Sequence, residues 1–323
     1  MIRIRLPALA LIAVLGLAAG ASAAPSGDPA DRAALGERLF FDPILSADRT
    51  VSCSSCHKPE HAFADSVRFS RGVGGQLGNR NTPSAMNQAG RLGFFWDGRA
   101  SSLEEQALGP IANEREMDLP VDEAVQRLNS DPGYARWFAA IFHGPATARN
   151  LSQAIAAFER TLETGDSPYD RYINGDDSAL SPAAVRGRIL FIGRANCANC
   201  HSGEDFTADR FKNIGLYNGR ELNDPGRYAI TKDPAHLGLF KIPSLRNVAL
   251  TAPYMHNGMF KSLREVIEYY NHPDRVVQGS INRDKAIDIQ LNLSEDDIAD
   301  LIAFLESLTD DRFTKPAGVA GIR

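Results

Sequence analysis

The sequence predicts a mainly α-helical chain folded as two copies of one domain. Three observations predict it. Cys-x-x-Cys-His occurs twice, as Cys53-Ser54-Ser55-Cys56-His57 and Cys197-Ala198-Asn199-Cys200-His201, and uses all four cysteines of the 323-residue chain. Residues flanking the two motifs recur in order. The periodic apolar segments have helical rather than strand spacing. The motif spacing is that of covalent haem attachment: each thiol adds to a vinyl group and the adjacent histidine ligates iron. A four-cysteine zinc site and a pair of disulfides are the alternatives. Zinc leaves both histidines unexplained, and closure within Cys-x-x-Cys is usually redox-active.

Several helices are legible individually. Ser181-Pro182 opens one, with serine as N-cap and proline at the first helical position. Leu151 to Leu162 places Ile155, Phe158 and Leu162 on one face. Ser294 caps a helix whose stripe is Ile298, Leu301, Ile302 and Leu305, with Glu295, Asp296 and Asp297 in its first turn. Arg264 to Tyr270 is a further helix. Strand alternation is scarce. Arg71 to Pro83 and Leu216 to Pro234, rich in Gly, Pro and Asn, read as loops. The fold class is mainly α, with two cytochrome c-like haem domains related by internal duplication.

The duplication reaches beyond the haem motifs. Pro83-Ser84, Asn87, Gly98, Ser102-Leu103 and Glu105 recur, each offset by 160, as Pro243-Ser244, Asn247, Gly258, Ser262-Leu263 and Glu265. Gly36 to Phe41 and Gly187 to Ile192 match ahead of the motifs. The motifs themselves are offset by 144, so the second copy has a longer loop between His201 and Pro243. An approximate two-fold follows. The boundary is expected between Tyr169 and Ser181, at the turn Asn174-Gly175-Asp176-Asp177, giving domains 24–174 and 175–323.

Residues 1–23 read as a secretory signal: Arg3 and Arg5, an apolar run from Leu6 to Leu17, then Ala21-Ser22-Ala23 before cleavage after Ala23 or Ala24. The run is short for a membrane span, although an uncleaved anchor is the alternative. The expected location is the bacterial periplasm, where c-type haem is attached. At 43% hydrophobic, the chain can bury substantial cores. Formal charge is −5, or −7 without Arg3 and Arg5, which argues against nucleic acid as a partner.

Differences between the copies should mark differences in chemistry. Electron-transfer haems keep both axial positions filled; peroxide activation needs one open. Tyr270 ends the helix after Ser262-Leu263, and its partner 160 residues earlier is Pro110, which cannot ligate iron. Met255, Met259 and His272 are alternative ligands for the second iron. Near Pro110 stand Gln106 and Glu116, with Glu104, Glu105 and Glu114. Cleaving peroxide needs a base that moves a proton between its oxygens. Glu116 is the candidate, with Gln106 orienting the peroxide; a solvated helix face is the plain alternative. Trp96, one of two tryptophans, has His256 as its repeat partner. It is either core or a charge relay. His143 and His236 have ordinary surface or capping readings, as does His272.

Taken together, the chain resembles bacterial di-haem cytochrome c peroxidases and their MauG-type relatives over essentially its whole mature length. The carriers are both Cys-x-x-Cys-His motifs, Arg80-Asn81-Thr82-Pro83-Ser84, Phe95 to Ala100, Glu105 to Pro110, Ile242 to Asn247 and Thr251 to Gly258. The resemblance implies two covalent haems with His57 and His201 as proximal ligands, Trp96 between them, and Gln106 and Glu116 in the distal pocket of the peroxidatic haem. It also implies one Ca2+ held by Asn81 and the backbone carbonyls of Thr251 and Pro253, an oxygen-only set that suits calcium. Two departures matter. The usual methionine ligand of the electron-transfer haem is replaced by Tyr270, as in MauG-type proteins, which implies a low potential. The loop Arg68 to Arg80 lacks the histidine that blocks the peroxidatic iron in many relatives, and His61 is too close to His57 to serve. An enzyme ready in its oxidised state is expected.

Three functions compete. The first is a periplasmic peroxidase taking electrons from a small redox protein, a cytochrome c or cupredoxin. The second is a MauG-type enzyme oxidising side chains of a partner protein. The third is a di-haem electron carrier, which an open iron disfavours.

Overall fold

The computed structural model describes residues 28–314; the signal expected over 1–23 lies outside them. Six helices frame the two copies. In the first they are α1 (Arg32–Phe41), α2 (Leu103–Ala112) and α3 (Ala148–Glu159). In the second they are α4 (Pro182–Ile192), α5 (Leu263–Asn271) and α6 (Glu295–Glu306). Within each copy the first helix crosses the last.

The crossings are made by one residue type. A methyl group on Gly36 would sit 1.9 Å from Ala154 O and 2.9 Å from Phe158 Cβ. On Gly187 it would sit 1.9 Å from Asp300 O and 2.9 Å from Phe304 Cβ. Backbone touches backbone at both places, which only glycine permits. Aromatic rings then close around each crossing: Phe40 packs edge-on against Phe158, and Phe191 packs tilted against Phe304, each at 5.1 Å.

Capping follows the repeat. Ser102 Oγ accepts from Glu105 N–H, and Ser262 Oγ from Glu265 N–H. Each glutamate reaches back, to Ser101 N–H and Lys261 N–H, so the duplicated Ser-Leu-x-Glu is a helix start. Ser181 and Ser294 cap α4 and α6 as expected. The helix expected from Leu151 starts at Ala148, because Thr147 and Asn150 form a capping box ahead of the apolar stripe. It ends at Glu159, and Leu162 lies in the following turn. Strands are confined among the described residues to β1 (Phe211–Lys212) paired antiparallel with β2 (Phe240–Lys241). The long loop from Leu216 also contains one helical turn, Tyr228–Thr231.

The repeat extends to backbone conformation. Asn87 and Asn247, Phe95 and Met255, and Gly98 and Gly258 all have positive φ. The two copies meet through reciprocal bonds between repeat partners: Asn81 N–H donates to His256 O at 2.7 Å, and Lys241 N–H to Trp96 O at 2.8 Å. A buried ion pair strengthens the second copy's link to the helix Pro168–Ile173, with Arg246 bidentate on Asp170 at 2.9 and 3.0 Å.

The crossings yield a stability prediction. Gly36→Ala and Gly187→Ala should each destabilise the protein by about 2 kcal/mol or more, since a backbone clash relaxes less easily than a side-chain one. Gly144→Ala, with open space around it, should change stability by less than about 0.5 kcal/mol. Denaturant midpoints of the three variants check this; equal midpoints would mean the crossings tolerate a methyl group.

Candidate functional site

Each motif forms the floor of its own cavity. Cys53, Cys56 and His57 line one of about 460 Å³; Cys197, Cys200 and His201 line another of about 300 Å³. The four thiols are unpaired. Because the motifs lie in separate cavities, they do not build a shared zinc site.

Both histidines are presented in the same way. His57 Nδ1 lies 2.9 Å from Phe63 O, and His201 Nδ1 lies 3.0 Å from Phe206 O. A carbonyl only accepts, so Nδ1 carries the hydrogen and Nε2 keeps its lone pair for a metal. Burial lowers the pKa of both rings, which favours the neutral ligand form. The accepting carbonyls are aimed by left-handed residues, Phe63 at φ 56° and Phe206 at φ 52°. The repeated serines fix these turns: Ser84 Oγ donates to Ala62 O and Ser244 Oγ to Asp205 O. Pro-Ser recurs in the sequence where each copy fixes the turn that holds its motif histidine.

The opposite walls differ. Tyr270 lines the second cavity together with His201. Burial is the main cause raising its phenol pKa, and the neighbouring Tyr269 adds to it. Tyr269 is fixed by donating to Ile214 O. Of the alternative ligands, Met255 also lines this cavity. Met255, Met259 and Tyr270 all pack on the cluster around Tyr269; the Met259 sulfur accepts from Asn257 Nδ2, and His272 follows α5 as its C-cap.

In the first cavity Pro110 stands at the position corresponding to Tyr270, and Gln106 and Glu116 share its wall. Gln106 Oε1 is buried without a hydrogen-bond partner. Glu116 Oε1 accepts from Asn113 Nδ2 at 2.7 Å. Burial raises the Glu116 pKa, while the Arg99 charge and the Asn113 bond oppose the rise. The loop after the first motif packs on this segment: Val73 N–H donates to Glu116 O at 2.8 Å. A methyl group on Gly72 would meet Arg115 O at 2.2 Å and Glu116 O at 2.4 Å. From this loop Ser70, Gly72, Gly78, Asn79 and Arg80 reach the cavity, and His57 is the only histidine among its described lining residues. The other nearby glutamates have plain roles: Glu104 pairs with Arg160, Glu105 caps α2, and Glu114 is exposed.

Trp96 lines both cavities. Its Nε1–H donates to Asn81 O at 2.8 Å. Around it lies a charge cluster that motif reading missed. Arg80 is bidentate on Asp224 and also bonds Asp97; Arg99 bonds Asp97 as well. Arg227 donates to Asp97 O. These residues are scattered over the sequence, so only folding brings them together. His256, the partner of Trp96, stacks on Phe240 at 3.6 Å, and burial lowers its pKa to about 4. Asn81, Thr251 and Pro253 all line the second cavity. Among the described residues no cluster of three His, Cys, Asp or Glu side chains could hold a metal, so any cation there would rely on amide and carbonyl oxygen. His143 ends a helix in left-handed conformation, and His236 bonds Thr231, as their plain readings imply.

Comparison with known proteins follows the same division. The di-haem cytochrome c peroxidase family description matches residues 30–178, and the cytochrome c description matches 184–309. A methylamine utilization protein MauG of Methylorubrum extorquens is 41% identical over 86% of this chain and 78% of its own length. A cytochrome c551 peroxidase of Nitrosomonas europaea is 36% identical over 88% of this chain and 81% of its own. Among solved structures, a MauG-like protein associated with microbial copper homeostasis superposes with TM-score 0.82 at 35% identity, covering 89% of this chain and 92% of the other. The di-haem peroxidase BthA of Burkholderia thailandensis gives 0.76 at 28%, covering 89% and 88%. No helix among the described residues is long and apolar enough to cross a membrane. Two haem-type cavities on a duplicated helical frame, matched along most of the chain by both peroxidases and MauG proteins, assign it to the di-haem cytochrome c peroxidase family of c-type haem oxidoreductases that act on peroxide.

Proposed function

We propose that this chain is a periplasmic di-haem peroxidase that reduces hydrogen peroxide to water with electrons from a small redox protein. Its domains are 24–174 and 175–323. The observation that carries the reading is the contrast at one repeat position: Pro110 faces the His57 cavity where Tyr270 faces the His201 cavity. Pro110 offers the first site no ligating atom, and Tyr270 offers the second a phenol oxygen. The residues fit c-type haem, with paired thiols beside a neutral, carbonyl-anchored imidazole. When bound, haem supplies the iron that binds peroxide and stores oxidising equivalents.

The protein side of the chemistry follows from the open cavity. Glu116, as carboxylate, takes a proton from one peroxide oxygen and returns it to the other. Asn113 holds Glu116 in place. Gln106 has an amide oxygen with no other partner, and it orients the peroxide. Trp96, in the wall of both cavities, relays charge between them. The loop carrying Gly72 is already seated on Glu116 and brings no histidine, which supports an enzyme ready without prior reduction. Asn81 Oδ1 with the Thr251 and Pro253 carbonyls is the proposed calcium set. Asn81 Nδ2 is turned toward Val67 O and Arg68 O, leaving its oxygen as the free acceptor.

A second reading keeps the site and changes the reductant. Tyr270 and the 41% identity to a MauG protein favour oxidation of a partner protein's side chains. Rapid steady-state peroxide turnover with reduced cytochrome c or a cupredoxin selects the peroxidase; its absence selects protein oxidation.

Two further outcomes are expected. The resting ferric spectrum should show one high-spin and one low-spin haem, and Tyr270→Met should raise the potential of the second. Two low-spin haems would sink the open-site reading, and an unchanged potential would remove Tyr270 as ligand. For Glu116, a base must be ionised, so a raised pKa moves the acid limb of kcat/KM for peroxide above the ordinary carboxylate value of 4.5. Activity should fall as pH drops through that limb. Glu116→Gln should lower kcat/KM about 10²-fold or more and abolish the limb, with the resting spectrum retained.

A further inference from the structure

One buried carboxyl in the first cavity has no task in the reading above. Glu159, the last residue of α3, is 7% exposed and lines the same cavity as Cys53 and Gln106. Its Oε2 is buried with no hydrogen-bond partner. The matched glycine contacts equate Ala154 with Asp300 and Phe158 with Phe304, so the counterpart of Glu159 is Leu305, which lines the second cavity. Leucine satisfies the frame there. An unpaired carboxyl in the same place is unfavourable for folding, so stability does not account for it.

Its surroundings are mostly apolar. Phe40 of α1, Leu103 of α2 and Ile155 of its own helix share the wall. Two charged groups face it from the rim: Arg160, the next residue, and Glu104 of α2, which pair with each other at 2.8 Å. Arg160 lowers its pKa and Glu104 raises it, but burial dominates and pushes it up to about 8. A charge on Glu159 also acts on the thiol of Cys53, the attachment residue nearest to it in effect, as one on Glu116 does more weakly. The carboxyl therefore holds its proton well above the ordinary carboxylate range, and its ionisation would be felt at Cys53.

We propose that Glu159 is a proton-exchanging acid of the first haem cavity, protonated while the site is electron-rich and ionised when the site is oxidised. Reducing one peroxide to two waters consumes two electrons and two protons. Each electron reaching the first site adds one negative charge to a poorly screened cavity. Glu159 carboxylate takes up one solvent proton, becomes carboxylic acid and cancels that charge; loss of the electron reverses the transfer. The proposal rests on haem attachment at Cys53, Cys56 and His57.

The test is the midpoint potential of the first haem against pH, measured spectroelectrochemically on the holoenzyme. In the wild type the potential should fall with rising pH, approaching one proton per electron between the two pKa values of the acid. Glu159→Gln should flatten that dependence. Glu159→Leu, which installs the residue used at the counterpart position, should do the same, while Glu116→Gln should keep it. A slope that persists in both Glu159 variants, or one lost only in Glu116→Gln, overturns the proposal. Pyridine haemochrome assay separates the underlying reading: two haems per chain are expected in every protein, and their absence from the wild type would defeat the attachment itself. Should the Glu159 variants not fold, infrared difference spectra of the wild type decide. Oxidising the first haem should remove a protonated-carboxyl band, and no such change overturns the proposal.

Discussion

The close crossing of two helices, glycine against carbonyl, is the contact on which the rest of each domain depends. Where Gly36 meets Ala154 and Gly187 meets Asp300, the helix axes approach until no side chain fits between them. The aromatic rings beside the crossing are then forced to one side, and the cavity opens beyond them. Further along each copy comes the haem motif, whose histidine is steadied by a left-handed turn and a Pro-Ser pair. None of these features needs a large apolar core. That agrees with a loop-rich chain in which a bound cofactor would supply much of the interior.

Because the frame is duplicated, the junction between its copies is built from equivalent parts. Asn81 and Lys241 each donate to the backbone of the other copy's Trp96 or His256 partner. Their side chains have diverged. On one side stands an indole whose N–H is held by a carbonyl. On the other stands an imidazole kept neutral by burial and stacked on Phe240. The surrounding arginines and aspartates form a closed set, so the charges near Trp96 are tied to each other across the junction. Such a network holds the two cavities in fixed relation, as a relay between them requires.

Much of this was legible in the sequence because it is local. Cys-x-x-Cys-His, the Ser-Leu-x-Glu helix starts and the register of 160 each depend on residues near one another along the chain. The apolar stripe of α3 was visible too, and Glu159 falls four residues after Ile155 on that same face. A charged residue on an apolar helical stripe is the signal that the sequence carries for it. The Arg80, Asp97 and Asp224 cluster had no such signal, since its members come from three loops. The same holds for Gly72: its sequence neighbours suggest a turn, and only the fold reveals that Glu116 rests against it. Start points of helices were less exact where a cap, as at Thr147, precedes the first apolar residue.

The divergence between the cavities follows one physical rule. Protons move only where buried groups can hold them, and electrons need no such groups. At matched positions the first cavity has Gln106, Pro110 and Glu159 where the second has Val266, Tyr270 and Leu305. Glu116 joins the first set and sits behind a seated loop. The first cavity therefore carries carboxyl and amide groups in a poorly screened space, where each gained or lost proton is felt strongly. The second has a mainly apolar wall around a phenol whose proton burial makes hard to remove, with Lys212, Lys241 and His256 elsewhere in its lining. A coordinating metal would reverse that last preference, because a cation favours the ionised oxygen. On the proposed reading, the bond-breaking chemistry, with its proton traffic, is confined to the half that keeps an open wall. The other half, with Val266, Tyr270 and Leu305 at those matched positions, is left with electron storage and transfer.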